Sequence, residues 1–377
     1  MSTDWQSVRA EFPSLTHCTW LNSATFGQVP LRAQAAITRH LERLDRLAAR
    51  DFLFWFEAAD GIRREVALLF EAQADDVAYI PNTAYALSLL VNAIDWRHGD
   101  EVVTFEEEFP NQIYAAALLE ERGVRLVQGR LRDWANLLSD RTRLVAVSQT
   151  NYATGEEAPV TEMAAALRSR GIRFYVDGTQ TAGVRRVDFP AMGPDIYAVN
   201  GYKWMNSPPG SAFMLVPPGT RAWLQPNIVG WRSHHDWRNV NNLHHGKPTF
   251  ADAAERYEGG MLPFMNLFAM QESIRLLFDV GLGEVEARVL RLAGLVRDVL
   301  RDAGASVLGD ENPRANGHIV AATLPAHDPG AVARQLETKD ILVSARHGFL
   351  RVSPHFYNNE ADIERFATAL RAVLADG

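Results

Sequence analysis

Two side chains invite chemistry by their types and spacing. Asp177 ends the apolar run Tyr175-Val176-Asp177, and Lys203 follows 26 residues later in Asn200-Gly201-Tyr202-Lys203-Trp204. Each comes after a short apolar stretch that reads as a strand, so a carboxylate and an amine would emerge at one sheet edge. An amine there can condense with an aldehyde, and a carboxylate facing a pyridine nitrogen keeps that nitrogen protonated and the ring electron-poor. Such a cofactor also needs a phosphate cup. Backbone N–H groups at a helix N-terminus make one, because the orphan donors and the helix dipole both favour an anion. Ile80-Pro81-Asn82-Thr83-Ala84 offers it, a strand end running into a helix start with Asn82 or Thr83 as N-cap. Together the three parts suit pyridoxal phosphate. A surface lysine and a turn aspartate are the bland alternative, disfavoured by the apolar runs before both and by Tyr202 and Trp204 beside the lysine.

The elements that must position these groups are legible as an alternation. Strands are expected at 77–80, 101–105, 124–127, 144–148, 174–177, 196–200 and 212–216, with helices from Pro30, at 59–70, 83–94, 111–122 and 160–170 between them. That pattern predicts an α/β fold with a mostly parallel sheet covered on both faces. After Pro217-Pro218-Gly219 comes a polar, aromatic stretch that reads as a long loop. Helices at 263–280 and 283–303 and strands near 318–323 and 350–353 follow, which predicts a smaller α+β C-terminal domain. The expected division is an N-terminal arm over 1–20 joining the small domain, a large cofactor-binding domain over 21–262 and a small domain over 263–377.

With 377 residues, 47% of them hydrophobic, the chain can bury a large core. No apolar run reaches the roughly 20 residues of a membrane span, and the first residues lack the pattern of a secretory signal, so no membrane partner and a cytoplasmic location are expected. The single cysteine, Cys18, rules out an internal disulfide. The net charge of −8 is scattered, which gives no reason to expect nucleic acid. His234, His235, His244 and His245 form adjacent pairs rather than pairs spaced by three or four, so no metal site is expected.

Taken with these motifs, the stretch from about Leu21 to Asn359 resembles the class V aminotransferases. These are the branch of fold type I pyridoxal-phosphate enzymes that also holds cysteine desulfurases, kynureninase and isopenicillin N epimerase-like proteins. The resemblance implies that Lys203 carries the Schiff base to the cofactor, that Asp177 pairs with its ring nitrogen and that Gln180 hydrogen-bonds its ring hydroxyl. Thr83, Ala84, Asn200 and Tyr202 would contact the phosphate. Phe109, in Glu108-Phe109-Pro110-Asn111, falls where desulfurases stack a histidine on the ring; it can stack but carries no proton. Arg351, in Leu350-Arg351-Val352-Ser353, would clamp the substrate's α-carboxylate, with Arg346 as a second candidate. In the loop Ser148–Gly155 either Asn151 or Tyr152 would face the substrate. Trp231, in a stretch similar to a glycine-tryptophan loop of kynureninase, would line an aromatic pocket or close a domain interface. A homodimer with its site at the subunit interface is also implied.

The sequence departs from the family at two places. Ser344–Phe349 holds no cysteine where desulfurases carry their thiolate, so persulfide-forming chemistry is not expected. Met261 stands where many relatives have a phosphate-binding threonine. The reading is an enzyme acting at the α-carbon of an amino acid, an aminotransferase first, a β-eliminating C–S or kynureninase-like lyase second and an epimerase third. A cofactor-binding regulatory or partner protein is the non-enzyme alternative.

Overall fold

The computed structural model describes residues 3–243 and 246–375. Its centre is a seven-stranded sheet made of β1 (Val77–Ile80), β2 (Glu101–Phe105), β3 (Arg125–Gly129), β4 (Thr142–Ser148), β5 (Arg173–Asp177), β6 (Ile196–Asn200) and β7 (Ala212–Leu215). The spatial order is β1-β7-β6-β5-β4-β2-β3. The β3–β2, β2–β4, β4–β5 and β5–β6 pairs are parallel. β7 is antiparallel to both its neighbours, so the expected mostly parallel sheet carries one reversed strand and, beyond it, β1 at the edge. Strands such as Val77–Ile80 and Leu144–Val147 are buried along their whole length because helices cover both faces, which explains why they read as continuous apolar runs.

Helix α1 (Leu31–Leu47) lies against the later helix Phe264–Val280, while α2 (Phe52–Leu69), α3 (Thr83–Ala93), α4 (Pro110–Ala117) and α5 (Val160–Ser169) pack on this sheet. Helix α2 begins seven residues before the expected Ala59, since Phe52, Trp55 and Phe56 reach the core from its first turns. α4 stops at Ala117, and a 3-10 turn carries the chain to Arg122.

Helices α6 (Phe264–Val280) and α7 (Leu282–Asp302) follow. Phe264, Leu267, Met270 and Ile274 of α6 sit in the same core as Val103 and Val145, so this helix packs with the large sheet although it lies beyond the boundary expected at 262/263. The second core starts with Leu292, Val296 and Leu300 of α7. They pack under a four-stranded antiparallel sheet of β8 (Ser306–Val307), β9 (Val320–Thr323), β10 (Ser344–Arg346) and β11 (Phe349–Val352), in the order β10-β11-β9-β8. The N-terminal arm reaches this part of the chain. Thr19–Trp20 pairs in parallel with Ile341–Leu342, and Arg9 bonds Asp362 at 2.7 Å.

Candidate active site

β5 and β6 end side by side, and the turns that follow them carry the two groups from which the sequence reading began. Asp177 is the last residue of β5, and Lys203 lies three residues past the end of β6. Both are buried. Among the described residues neither enters an ion pair. The Asp177 carboxylate receives one N–H, from Thr179 at 2.9 Å. Burial is the main cause that lowers the Lys203 amine to about 8, aided by the positive field of Arg351 and Arg346 and opposed by Asp177. The chain has only three lysines, Lys203, Lys247 and Lys339, and the other two are exposed. That scarcity was available from the sequence as a pointer to Lys203.

The lysine turn is held from several sides. Gly27 donates its N–H to Tyr202 O at 2.9 Å, and a Cβ on Gly27 would lie 1.9 Å from Lys203 O, so only glycine lets this segment approach. Trp204 is fully buried; its Nε1 donates to Gln180 Oε1 at 2.8 Å and its indole is met edge-on by His318 at 4.7 Å. Gln180 Nε2 donates to Ala24 O at 2.9 Å, which leaves its second N–H for a ligand.

At the start of α3, Asn82 is the N-cap and accepts the Tyr85 N–H. Asn200 reaches over from β6: its Oδ1 accepts the Thr83 N–H at 3.2 Å and its Nδ2 donates to Thr83 Oγ1 at 3.0 Å. Neither side chain takes the N–H of Ala84. The helix start and the end of β6, just before the lysine turn, are thus stitched together where the phosphate cup is expected. Tyr202 packs against Phe26 at 4.9 Å, and its ring centroid lies 5.7 Å from Lys203 Nζ.

Phe109 is no core residue: it is 37% exposed, with its ring centroid 5.6 Å from Lys203 Nζ. Tyr152 packs edge-on against it at 5.4 Å. Of the two candidates in that loop, Tyr152 is the one turned to this opening. Asn151 is turned into its own loop instead, its Nδ2 donating to Glu107 O and its Oδ1 receiving the N–H groups of Ala153 and Thr154.

Arg351, on β11, is 1% exposed, yet among the described residues it has no acidic partner. Its guanidinium donates to Ser344 Oγ at 3.0 Å, Tyr152 O at 2.5 Å, Thr25 Oγ1 at 2.5 Å and Asn22 Oδ1 at 3.3 Å. Burial, with repulsion from Arg346, lowers it to about 9. A guanidinium so buried and so lacking a counter-charge is costly unless an anion arrives. Arg346, half-buried, bonds Ala345 O and no other group among the described residues. The neutral partners Asn22, Thr25 and Ser344 escaped the sequence reading because they come from segments far apart in the chain and none is charged.

Two groups stand elsewhere. Trp231 packs on Phe56 and Trp237, beside a largely apolar cleft of about 640 Å³ bordered by Tyr79, Pro81, Val229 and Met261, and it does not touch the lysine turn. Among the described residues no group of three or more His, Cys, Asp or Glu is arranged to hold a metal; His244 and His245 lie outside the described residues.

A buried amine and a buried carboxylate at adjacent strand ends, neither in an ion pair among the described residues, with a helix start bonded to the end of β6, fit pyridoxal phosphate. This sheet and its lysine turn define an enzyme of fold type I. The likeness to solved structures is close: a cysteine desulfurase from Thermococcus onnurineus NA1 superposes with a TM-score of 0.88 at 20% identity, each chain covered fully. A cystine C–S lyase, C-DES, bound to its product cysteine persulfide superposes with a TM-score of 0.86 at 23% identity over 96% of this chain and 99% of that one. The chain belongs to the class V aminotransferase family, whose model matches residues 53–366. Curated relatives include a probable cysteine desulfurase of Methanothermobacter thermautotrophicus, 24% identical over 99% of this chain and 98% of its own. An isopenicillin N epimerase of Streptomyces clavuligerus is 25% identical over 99% of each chain.

Proposed function

We propose that this protein binds pyridoxal phosphate through Lys203 and takes an α-amino acid by its carboxylate on Arg351. The observation that carries the reading is Arg351, a buried guanidinium with neutral partners only, whose field reaches the Lys203 amine. Lys203 and Asp177 would hold the aldehyde and the ring nitrogen. Gln180 would bond the ring hydroxyl through its free N–H, Thr83, Ala84, Asn200 and Tyr202 would hold the phosphate, and Phe109 would cover the ring. When bound, the cofactor supplies an electron sink for the α-carbon.

Lys203 removes the α-hydrogen. Burial lowers its amine to about 8, so far more of it is neutral near neutral pH than of an ordinary lysine. Arg351 fixes the carboxylate, with Arg346 nearby, so that the same hydrogen is always presented. Transamination needs no further proton carrier than Lys203. β-Elimination is the second reading, supported by the C–S lyase and desulfurase names among its relatives and by a β10–β11 hairpin without the thiol that persulfide formation needs. A homodimer is part of the proposal, supported by the exposed apolar group Val229, Trp231 and Met261 beside the phosphate-cup strand.

The test mixes the pure protein with a panel of amino acids, without keto acid, and follows the cofactor spectrum together with released ammonia and keto acid. One stoichiometric half-reaction identifies an aminotransferase; turnover with ammonia identifies a lyase. A spectrum unmoved by every amino acid would overturn the reading.

A further inference from the structure

One proton-carrying pair at the mouth of this site has no part in the chemistry so far. Tyr152 Oη and His347 Nε2 are 2.7 Å apart. Tyr152 comes from the loop after β4, and His347 from the turn between β10 and β11, so the two domains each contribute one member. His347 has φ +48°, a left-handed conformation uncommon for a residue with a side chain, and its ring also meets the Tyr152 ring at 5.8 Å. The phenol is placed by the machinery around it. The Tyr152 ring stands edge-on to Phe109, whose own ring lies 5.6 Å from the lysine amine, and its carbonyl oxygen accepts Arg351 Nη1. An amino acid held by Arg351 with its α-carbon toward Lys203 therefore has Tyr152 beside whatever its other substituent carries.

Three features separate this pair from a surface contact. Burial raises the Tyr152 hydroxyl above its ordinary value, with Arg346 and Arg351 opposing, so it stays protonated at neutral pH and can donate. His347 is exposed and can recover a proton from solvent. Phe109, the aromatic neighbour of Lys203, carries no proton, and the buried acid beside it, Glu108, is turned to Ser148, so among the described residues the phenol is the donor open to that side of the site.

We propose that Tyr152, recharged by His347, is the acid that protonates a leaving group expelled from the β-carbon, and that the substrates are amino acids whose β-substituent is a poor leaving group, a thiol, thioether or hydroxyl. The proposal rests on the amino-acid reading above and selects its elimination branch. Lys203 takes the α-hydrogen, and that electron pair becomes the Cα=Cβ bond. The bond from Cβ to sulfur or oxygen breaks with its pair going to the heteroatom, which takes the Tyr152 proton. His347 returns a proton to the phenolate and is itself reprotonated by solvent. Water then hydrolyses the released enamine to keto acid and ammonia, so that amino acid and water give keto acid, ammonia and the protonated leaving group.

The test uses the holoenzyme and two probes that differ in the need for a proton: β-chloroalanine, whose chloride leaves unprotonated, and S-ethylcysteine, whose thiolate does not leave readily. Tyr152→Phe keeps the ring packed on Phe109. It is expected to lower kcat for S-ethylcysteine by a hundredfold or more while β-chloroalanine changes less than about threefold, and His347→Gln is expected to give a smaller loss of the same selectivity. Equal losses on both probes would make Tyr152 a structural residue and overturn the proposal, as would an unchanged rate with S-ethylcysteine. A wild-type enzyme that half-transaminates these amino acids without releasing ammonia would overturn it too, leaving the Arg351 reading intact. A spectrum that no amino acid shifts would sink both.

Discussion

At the scale of single residues the site is built from charges left without partners. Arg351 has lost its water and found four neutral oxygens, none with a full negative charge to offset that loss. Arg351→Ala should therefore weaken amino-acid binding by about 3 kcal/mol, the worth of a bidentate charged pair, and leave cofactor content unchanged. Spectral titration with an amino acid checks this, and an unaltered affinity would move the anchor to Arg346. A second buried acid lies next to the ring-covering Phe109. Burial lifts Glu108 to about 7, and nearby Asp177 adds to the rise, while hydrogen bonds from Ser148 oppose it. The folded chain holds that proton more tightly than the unfolded chain, so its contribution to stability is complete below about pH 4.5 and is lost as pH rises through about 7. The loss amounts to roughly 3 kcal/mol. Glu108→Gln cannot ionise, and its urea midpoint should fall less than the wild type's between pH 5 and pH 8. Parallel falls would show that Glu108 does not titrate in that range.

At the scale of elements, strand ends and helix starts place the groups, and these were largely legible. The runs at 101–105 and 196–200 are strands with the bounds expected, because strands covered on both faces read as mostly apolar runs between polar flanks. The reversed direction of β7 was not legible, since an apolar run carries no sign of its direction. Nor was the ion cluster that fixes the loop before α6. Glu258 receives Arg63 at 2.6 Å and Arg232 at 2.8 Å, as well as the N–H of Tyr79 in β1, and all three charged side chains are nearly solvent-free. Its members are 26 to 195 residues apart, a distance at which no local pattern links them. Glu258→Ala would leave two buried guanidinium groups without their shared acid and should cost 3–5 kcal/mol, roughly the penalty of breaking a buried pair. Chemical denaturation measures it, and a change below about 1 kcal/mol would mean that water reaches the cluster.

At the scale of the molecule, the C-terminal part of the chain closes on the lysine turn: His318 and His355 pack against Trp204, and the charge of Arg351 is felt at Lys203. The sequence placed Lys203, Asp177 and Arg351 in one site by resemblance; the Tyr152–His347 pair was invisible because its members are 195 residues apart. The exposed Met261, at 65%, and Val229, at 51%, argue for a covering subunit. For the proposed homodimer, Met261→Asp should shift sedimentation from dimer to monomer, and an unaltered dimer would place the interface elsewhere. The most direct test of the central claim uses the scarcity of lysine. Borohydride reduction of the purified yellow protein followed by peptide mass spectrometry must find the cofactor on one of three lysines. The account predicts an adduct on Lys203 alone, absent from Lys203→Ala after the same reduction. An adduct on Lys247 or Lys339, or a borohydride-reducible bond between cofactor and protein that survives Lys203→Ala, would contradict it.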